Sequence, residues 1–385
     1  MKLLYYSSTF FADTDFPLIK ELQGMGIDVY YLIELAPYSK RSTLIDIKKQ
    51  INKSAILKAS MYKEFCLYGD YINLDKVFVV NRTESSVFSL NNIKLTFKLY
   101  SFIQKINPDV IHLIAPLDTF QTILYRFRRK MVLTMHDPFP HTGESNKRKT
   151  FFRKLALKLV PRFVLLNETQ KEGFKKAYGI KEYQILLNKI GRFDYLNFFP
   201  VRERSKNNPH VLFFGRISPY KGIEYLCKAM MKVKEQVPDA TLTIAGGGKM
   251  YFDITPYQQQ TWVNVLNRYI GMEELAGLLQ DCAITVCPYT DATQSGVVMT
   301  SYSLCKPVIA TNVGGLSEMV EDGKTGLLVP PKDVDALADA IISLLEDRKK
   351  LDEMANSIRN DYFAGDKSWK VIADRYVAFY HKAIQ

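Results

Sequence analysis

The chain has 385 residues, of which 47% are hydrophobic and 24% charged, with 20 glycines, 16 prolines and five cysteines. This composition is typical of a globular protein of about two domains, and it excludes disordered, collagen-like and disulfide-scaffold proteins. The net charge is +12, and residues 1–200 carry 31 Lys and Arg against 18 Asp and Glu. Because the excess lies in one half of the chain, it predicts an anionic partner for that half: a membrane surface, a nucleic acid or a phosphorylated acceptor.

Short apolar segments alternate with longer amphipathic ones along the first half of the chain. We predict strands at 2–6, 28–33, 110–114, 131–135 and 163–166, and helices at 16–25, 93–106 and 151–160. The stretch 200–209 is polar and bounded by prolines, which is typical of a linker. A second alternation follows, with strands at 210–214, 240–245, 283–287 and 307–310, and helices at 222–236, 273–279, 297–304, 334–346 and 368–383.

This order of elements indicates an α/β protein. Strands that alternate with helices predict two Rossmann-like, doubly wound parallel-sheet domains that face a cleft. We expect the first domain at 1–203 and the second at 204–385, with the helix at 366–385 packing back on the first. Ligands of such sheets lie at the carboxyl ends of the strands, so the loops after the strands are expected to carry the chemistry.

A cationic segment follows the predicted strand 210–214. Gly215 allows the chain to turn, and Arg216 and Lys221 lie on the loop before a helix that follows Gly222. Two cations beside a helix N-terminus are suited to bind a diphosphate without a metal. Two solvated surface cations are the alternative, and the spacing by itself does not decide between them.

A second segment, 288–298, follows a predicted strand and opens the next helix. Ser295 and Gly296 place backbone N–H groups at the helix start, where an anion is favoured, and the Gln294 amide can donate to a phosphate or a hydroxyl. An ordinary N-cap by Thr293 or Ser295 is the alternative, and this segment taken by itself favours the cap.

Two features of the first domain carry further chemistry. His136 follows the strand 131–135, where its imidazole is expected to face the cleft and to donate to a sugar hydroxyl; a histidine held by Asp137 is the alternative. Asp13 and Asp15 have the D-x-D spacing that holds a metal and a diphosphate in some enzymes, but they fall where a helix begins, so we interpret them as acids of a first helical turn. No other His, Cys, Asp or Glu cluster has metal-ligand spacing, so neither a metal nor a cofactor is expected.

Several motifs, taken in order, resemble those of glycosyltransferase family 4, the retaining nucleotide-sugar transferases of GT-B fold. The cationic segment matches that family's phosphate-binding Arg/Lys segment. Residues 305–318, C-K-P-V-I-A-T-N-V-G-G-L-S-E, match its G-x-P-V-I-A-T…G-G-x-x-E segment, and residues 322–329, D-G-K-T-G-L-L-V, match its N/D-G-x-x-G-x-L-V stretch. His136 and Asp137 resemble its H-D step. The resemblance covers nearly all the chain and is strongest over 210–345.

The resemblance implies a retaining, metal-independent, hexosyltransferase-type enzyme. Such an enzyme moves a sugar from a UDP- or GDP-sugar to a glycan or lipid-linked acceptor, here in bacterial surface polysaccharide synthesis. Arg216 and Lys221 would stabilise the diphosphate leaving group, and His136 would orient the sugar. The implied donor-binding residues are Gly215, Arg268, Tyr269, Ile270, Gln294, Ser295, Gly296, Val297, Val298 and Thr300. The implied acceptor-side loop is Ser8, Thr9 and Phe10.

The sequence departs from the family at two acidic positions. The family usually carries two glutamates eight positions apart, one on the donor ribose and one near the transferred sugar. Here these positions are Ala292 and Thr300, which lie on either side of a Thr-Gln-Ser-Gly-Val loop variant at 293–297. The alternative function is therefore a catalytically inactive GT-B protein that binds a nucleotide or a glycan. Cys305 also replaces a glycine of the family.

Residues 147–158 predict an amphipathic basic helix, in which Phe151, Leu155 and Leu159 recur one turn apart. With the basic run 126–130, this helix is expected to dock on an anionic membrane, which predicts a cytoplasmic protein that is peripheral on the inner face of the membrane. A solvated helix whose apolar stripe covers its own sheet is the alternative. Nucleic acid is the poorer choice of partner, because the sequence contains no recognition motif for it.

Overall fold

The computed structural model describes residues 1–42, 44–136, 138–139, 147–199, 208–292 and 295–384. The strands are β1 (Lys2–Ser8), β2 (Asp28–Leu35), β3 (Ala55–Lys58), β4 (Val77–Asn81), β5 (Val110–Leu113), β6 (Met131–Met135), β7 (Arg162–Leu165), β8 (Ile185–Leu187), β9 (His210–Phe214), β10 (Thr241–Ala245), β11 (Val263–Leu266), β12 (Ile284–Cys287), β13 (Val308–Thr311) and β14 (Gly326–Val329). The helices are α1 (Ala12–Gly24), α2 (Lys63–Cys66), α3 (Leu90–Ile106), α4 (Lys147–Leu159), α5 (Lys171–Tyr178), α6 (Ile223–Gln236), α7 (Thr255–Gln258), α8 (Met272–Asp281), α9 (Gly296–Ser303), α10 (Leu316–Met319), α11 (Val334–Glu346), α12 (Arg348–Arg359) and α13 (Trp369–Ile384).

These elements form two compact units. Unit 1 comprises Met1–Ile190 and Trp369–Gln385, and unit 2 comprises Gly191–Ser368. The change of unit between residues 190 and 191 lies ahead of the polar stretch 200–209, most of which is outside the described residues. The last helix, α13, belongs to unit 1, so the chain returns to its first unit at the end.

Unit 1 is built on an eight-stranded sheet in the order β3-β4-β2-β1-β5-β6-β7-β8. The neighbouring strands are parallel except for β3, which pairs antiparallel with β4. The central strands read as apolar runs, as expected for a parallel sheet with both faces covered; Leu3 and Leu4 of β1 are fully buried. The predicted α/β fold with two doubly wound sheets is confirmed, with the antiparallel edge strand as an addition.

Helix α3 shows how the sequence specifies one layer of unit 1. Ser89 caps its start by accepting a hydrogen bond from the backbone N–H of Asn92, at 3.3 Å. Leu95, Leu99 and Ile103 recur every four residues and pack into the core of the sheet. Each such buried side chain stabilises the fold by about 1.5–3 kcal/mol relative to exposure.

Helix α13 closes the opposite layer of unit 1. The Tyr380 hydroxyl lies 2.5 Å from Nδ1 of His112 in β5, and Nε2 of the same ring lies 2.7 Å from the Thr134 hydroxyl. Burial lowers the pKa of His112 to about 3, with a smaller contribution from His136, so the ring is neutral. These contacts tie the last helix to two central strands of the unit.

Unit 2 is built on a six-stranded sheet in the order β11-β10-β9-β12-β13-β14, and all its neighbouring strands are parallel. The chain leaves β9 towards β10 on one side, whereas β12 lies on the other side, so the strand order reverses between β9 and β12. Ligands of open α/β sheets bind at such a reversal, at the carboxyl ends of the strands. The loops after β9 and β12 hold the two anion-binding segments predicted from the sequence.

Within the described part of the chain, no helix has both the length and the apolar character that crossing a membrane requires. The five cysteines are all free: Cys66 is exposed, and the other four are buried or half-buried.

Candidate functional site

A buried cation lies at the strand-order reversal of unit 2. Lys221 ends a short 3-10 turn that follows β9, and it is only 9% exposed. Its Nζ lies 3.6 Å from the centre of the Tyr289 ring, which follows β12. Burial is the main reason that the pKa of Lys221 is lowered from 10.5 to about 8; Cys287 opposes the shift, and the nearby Arg216 adds to it. Among the described residues, no carboxylate forms an ion pair with this lysine.

The two predicted anion-binding segments are in direct contact. The backbone N–H of Thr290 donates to the Tyr220 carbonyl at 2.8 Å. Gly222 has φ +63°, and a Cβ at that position would lie 1.9 Å from the Pro288 carbonyl oxygen, so only glycine permits this approach. From the other side, a Cβ on Gly314 would lie 1.7 Å from the Ala292 carbonyl oxygen. The two glycines therefore hold the loop after β12 between them.

Helix α9 begins directly after this loop. Ser295, the residue before the helix, is 4% exposed; its N–H points to the Met319 sulfur at 3.3 Å and its hydroxyl lies 3.2 Å from the Tyr289 hydroxyl. Gly296 is exposed, and Val297 is half-buried. The first-turn amides of a helix have no carbonyl one turn earlier within the helix, which makes this end favourable for an anion. Gln294, a predicted donor-binding residue, lies outside the described residues, as does Thr293.

Thr300 occupies one of the two positions that are acidic in the resembling family. It is 3% exposed, and its hydroxyl donates to the Gly296 carbonyl at 2.7 Å. The Thr300 hydroxyl is therefore hydrogen-bonded to the backbone of its own helix. Val298 is fully buried, and its N–H donates to the Ser295 carbonyl at 3.2 Å.

The segment 268–270 follows β11 and adjoins the same edge of the sheet. A Cβ on Gly247 would lie 3.4 Å from the Arg268 carbonyl carbon, and the Gly247 carbonyl accepts from the N–H of Ile217 at 3.1 Å. The Arg268 guanidinium forms two hydrogen bonds to Glu274, at 2.7 and 2.6 Å. Tyr269 is 40% exposed, whereas Ile270 is buried. The glycine-rich loop after β10 thus joins 215–222 to 268–270, and the hydrogen bond from Thr290 to Tyr220 joins 215–222 to the loop after β12.

His136 lies in unit 1, immediately after β6. Its ring stacks on Phe11, with 4.5 Å between the ring centres and an interplanar angle of 20°. It also lines a small cavity of about 20 Å³ together with Asp15, Thr134 and Lys189, which has room for about one water molecule. Asp137 is outside the described residues, so the alternative of a histidine held by that carboxylate stays open.

The predicted acceptor-side loop splits into three different environments. Ser8 lines a larger cavity of about 210 Å³. Thr9 is fully buried, and its hydroxyl donates to the Ser39 carbonyl at 2.5 Å. Phe10 is 48% exposed.

The D-x-D triplet lies in the first turn of α1. Asp15 is 1% exposed and accepts hydrogen bonds from the hydroxyls of Tyr5 and Tyr31, both at 2.9 Å. Burial raises its pKa to about 7, although the nearby Ser7 and the hydrogen bonds from the two tyrosines oppose the shift. The carboxylate is thus engaged inside the unit, and no group of three His, Cys, Asp or Glu residues within the described ranges has the geometry of a metal site.

Sequence reasoning missed a polar cavity at the carboxyl edge of the unit 1 sheet. Glu34 of β2 and Arg82, directly after β4, form an ion pair at 2.6 Å. The Glu34 carboxylate also accepts from the Tyr6 hydroxyl at 2.6 Å and from the Gln121 amide at 2.7 Å. The available signal was a charged residue at or directly after the end of each apolar strand, but the pairing depends on β2 and β4 being neighbours.

Residues 208–347 match the family model described as glycosyl transferases group 1. An uncharacterized glycosyltransferase of Methanocaldococcus jannaschii is 30% identical over 221 residues, which cover 56% of each chain. A GDP-mannose-dependent alpha-(1-6)-phosphatidylinositol monomannoside mannosyltransferase of Mycolicibacterium smegmatis is 33% identical over 154 residues, or 37% of this chain and 40% of that one. The matches therefore span about half the length of these curated relatives.

The crystal structure of the Anabaena protein HepE in complex with UDP and glucose is similar to the whole chain. Its TM-score is 0.69 at 19% sequence identity, with 99% of this chain and 100% of that chain covered. Together with the two Rossmann-like sheets, this similarity defines the fold as GT-B. The match to the glycosyl transferases group 1 model lies in unit 2 and contains both predicted anion-binding segments.

Proposed function

We propose that the protein is a glycosyltransferase of the family 4 type, which transfers a sugar with retention from a UDP- or GDP-sugar to a glycan or lipid-linked acceptor. The observation that carries this proposal is Lys221, a buried cation against Tyr289 at the strand-order reversal of unit 2. A buried, desolvated ammonium is costly unless an anion compensates it. The diphosphate of a nucleotide sugar is such an anion.

The leaving group of the reaction is the nucleoside diphosphate. Lys221, Arg216 and the first-turn amides of α9 would neutralise the charge that develops on it, and such preorganised donors are each worth about 2.7–4 kcal/mol of transition-state stabilisation. Because these groups supply the positive charge, the reaction needs neither a metal nor a cofactor. The base is proposed to contact the backbone of 268–270, and His136 to orient the transferred sugar. Attack by the acceptor hydroxyl on the same face of the sugar accounts for retention.

The base of the proposed nucleotide-sugar donor is uracil or guanine. The structurally similar Anabaena protein was crystallised with UDP and glucose, and the mycobacterial relative is GDP-mannose-dependent. UDP and GDP-mannose both contain a nucleoside diphosphate, which is the part that Lys221 and α9 would bind. A role in bacterial surface polysaccharide synthesis is part of the same proposal.

The proposed membrane surface is a basic aromatic face of unit 1. Phe151 of α4 is 62% exposed and Phe88 is 65% exposed, and the Arg148 guanidinium lies 5.7 Å from the centre of the Phe88 ring. We expected Phe151 to share an apolar stripe with Leu155 and Leu159. Leu155 and Leu159 pack against the core beside the buried Ala156 and Leu157, whereas the Phe151 ring is exposed among the cations of α4.

This basic aromatic surface suits an anionic bilayer. The exposed cations of α4 and of the 3-10 run before β6 are Lys147, Arg148, Lys149, Lys154, Lys158, Arg126, Arg128 and Arg129. Each cation near an anionic membrane contributes about 1 kcal/mol, and exposed aromatic rings add apolar burial at the interface. We therefore propose that unit 1 docks on the cytoplasmic face of a membrane, where a lipid-linked acceptor is available.

Vesicle co-sedimentation tests the membrane proposal. The double variant Lys147→Glu and Lys154→Glu should lose binding to phosphatidylglycerol vesicles at low salt, whereas Lys228→Glu with Lys349→Glu, two exposed lysines of unit 2, makes the same change in net charge and should bind like the wild type. Binding should also fall with added salt. Equal loss in both double variants, or no binding by the wild type, contradicts the proposal.

Release of nucleoside diphosphate tests the enzymatic proposal. Purified protein should release UDP or GDP from one of a panel of nucleotide sugars, and EDTA should leave the rate unchanged. Arg216→Ala should lower kcat/KM by about 100-fold, which corresponds to about 2.7 kcal/mol. Unchanged turnover in this variant, or loss of activity in EDTA, contradicts the proposed roles.

A catalytically inactive GT-B protein is the second candidate, and Thr300 favours it. A carboxylate is replaced here by a hydroxyl that is bonded to its own helix. Titration calorimetry separates the two functions: tight nucleotide binding with no donor hydrolysis, even at high protein concentration, selects the binding protein.

A further inference from the structure

The polar cavity at the carboxyl edge of the unit 1 sheet is large enough for a ligand. Its volume is about 210 Å³, whereas a single water needs about 10–15 Å³ of such volume. We name it the Glu34 cavity. Its lining includes Glu34, Tyr38, Arg82 and Gln121, with Phe11 at the side that also stacks on His136.

The charges that line the Glu34 cavity are already compensated. Arg82 pairs with Glu34 at 2.6 Å, and the two side chains are 8% and 17% exposed. Burial pulls the pKa of Arg82 down, but the adjacent Glu34 carboxylate outweighs this and raises it, so the arginine is held as a cation for its own partner. Asp118 pairs with Arg148 at 3.0 Å. Among the described lining residues, no cation is left over for a phosphate or a carboxylate.

The groups that remain available in the cavity are hydrogen-bonding and aromatic. The Gln121 Nε2 donates to Glu34 at 2.7 Å and to the Tyr6 hydroxyl at 3.0 Å. Because these two bonds fix the orientation of the amide, its carbonyl oxygen is left as an acceptor for a ligand. The Ser8 side chain lies on the same lining. Tyr38 is 60% exposed and offers a ring face beside these polar groups. Few convergent polar groups with an aromatic wall are typical of a small-molecule site.

Sugars match this combination. A pyranose presents hydroxyls around its edge, which both donate and accept, and apolar C–H groups on its faces, which pack on aromatic rings. An added phosphate would bring a charge that the cavity cannot neutralise, and burying it near Glu34 would be costly. The cavity chemistry therefore discriminates between neutral and anionic sugars.

We propose that the Glu34 cavity is the acceptor subsite and that it takes an uncharged, hydroxyl-bearing glycosyl unit rather than a phosphorylated or carboxylated one. This inference rests on the proposed function for its role in transfer. A lipid-linked acceptor is compatible with it, because the ion pair of Asp118 with Arg148 joins the cavity to the basic aromatic surface. The terminal sugar would then enter the cavity while its lipid phosphate stays at the membrane.

Saturation-transfer NMR with defined probes tests the subsite. The probes are the methyl glycosides of glucose, galactose, mannose and N-acetylglucosamine, and the 6-phosphates of the same sugars. At least one neutral glycoside should bind the wild type, and its 6-phosphate should bind at least 10-fold more weakly. Tighter binding of the phosphates, or no binding by any glycoside, overturns the proposal.

Variants locate the binding in the cavity. Gln121→Leu and Tyr38→Ala should each weaken glycoside binding at least 10-fold, whereas Tyr38→Phe, which keeps the ring, should rescue it. Gln104→Leu, an exposed glutamine on α3, is the matched control and should bind like the wild type. Unchanged binding in Gln121→Leu and Tyr38→Ala overturns the proposal.

Donor hydrolysis without acceptor separates this proposal from the proposed function. Hydrolysis depends on the donor-binding groups of unit 2 and on His136, and it requires no ligand in the Glu34 cavity. If the wild type hydrolyses no donor but binds glycosides in the cavity, the transferase proposal fails and the neutral-sugar site stands. If donor hydrolysis occurs and the cavity variants leave the acceptor KM unchanged, the neutral-sugar site fails and the transferase proposal stands.

Discussion

Replacing Lys221 by methionine should make the protein without ligand more stable. The pKa of Lys221 is lowered from 10.5 to about 8, and a shift of this size corresponds to about 3 kcal/mol of unfavourable free energy for the charged form at pH 7. The cation–π contact with the Tyr289 ring stabilises the charged form by up to about 2 kcal/mol. Methionine has a similar length and no charge, so Lys221→Met should raise the free energy of unfolding of unit 2 by about 1–2 kcal/mol at pH 7.

The same reasoning gives a pH dependence with a definite sign. The pKa is lower in the folded state, so the unfolded chain binds more protons between pH 8 and 10.5, and stability rises with pH across that window. Lys221→Met should abolish this contribution. Nucleotide binding should run the other way: a diphosphate needs the charged lysine, so the affinity of the wild type for UDP or GDP should fall by up to tenfold per pH unit above about 8, and the variant should bind weakly at every pH.

Urea unfolding and calorimetry measure both effects. The two tryptophans lie in different units, so Trp369→Phe leaves Trp262 as a fluorescence reporter of unit 2 in every comparison. Lys228→Met, an exposed lysine on α6, is the matched control and should change neither stability nor nucleotide binding. If Lys221→Met destabilises unit 2 by more than 1 kcal/mol, or retains wild-type nucleotide affinity, the proposal that the buried Lys221 ammonium binds the diphosphate is refuted.

Three further predictions concern the frame around the sites. Gly222→Ala should cost several kcal/mol in urea unfolding because its Cβ meets the Pro288 carbonyl, whereas Gly323→Ala, at φ +73° in open space, should cost only about 1 kcal/mol; equal losses would contradict the steric argument. Cys305 has φ +54°, so Cys305→Gly should raise the midpoint of thermal unfolding by a few degrees, and a lowered midpoint would contradict that. The pKa of Asp15 is raised to about 7, so its contribution to the free energy of unfolding falls as the pH rises from 4 to 7. Asp15→Asn should remove that fall when unfolding is measured as a function of pH. An unchanged dependence of the unfolding free energy on pH would show that the carboxyl does not titrate in this range.

The sequence predicted the parts of the fold that depend on local patterns. Glycine directly after a buried strand located the turn at Gly215, and the helix that follows Gly222 begins where it was expected. The predicted start of α1 was wrong. We expected it at residue 16, near Pro17, but the helix begins at Ala12 after a 3-10 turn. The reason is tertiary, since Asp15 is held in the first turn by two tyrosines from neighbouring strands.

The candidate site shows the same division. Lys221 and Arg216 were found from their position after a strand, but the Tyr289 ring under Lys221 could not be found, because that contact requires β9 and β12 to be neighbours. The Glu34 cavity depends on residues up to 115 positions apart, brought together by strand order rather than by periodicity. The prediction for α4 was correct only in part: Leu155 and Leu159 of the predicted stripe pack against the core, whereas Phe151 is exposed.

The return of α13 to unit 1 has a consequence for how the chain folds during synthesis. Tyr380 bonds to His112, a residue 268 positions earlier, and the Asn188 side chain donates to the Ile372 carbonyl at 3.1 Å. Unit 2 lies wholly between these partners in sequence, so the ribosome completes it before the first unit has received its last helix. Domains generally fold as units during translation. The layer over His112 must therefore stay open until α13 emerges, and termination before α13 would release a chain whose second unit is complete and whose first unit is exposed to chaperones and proteases.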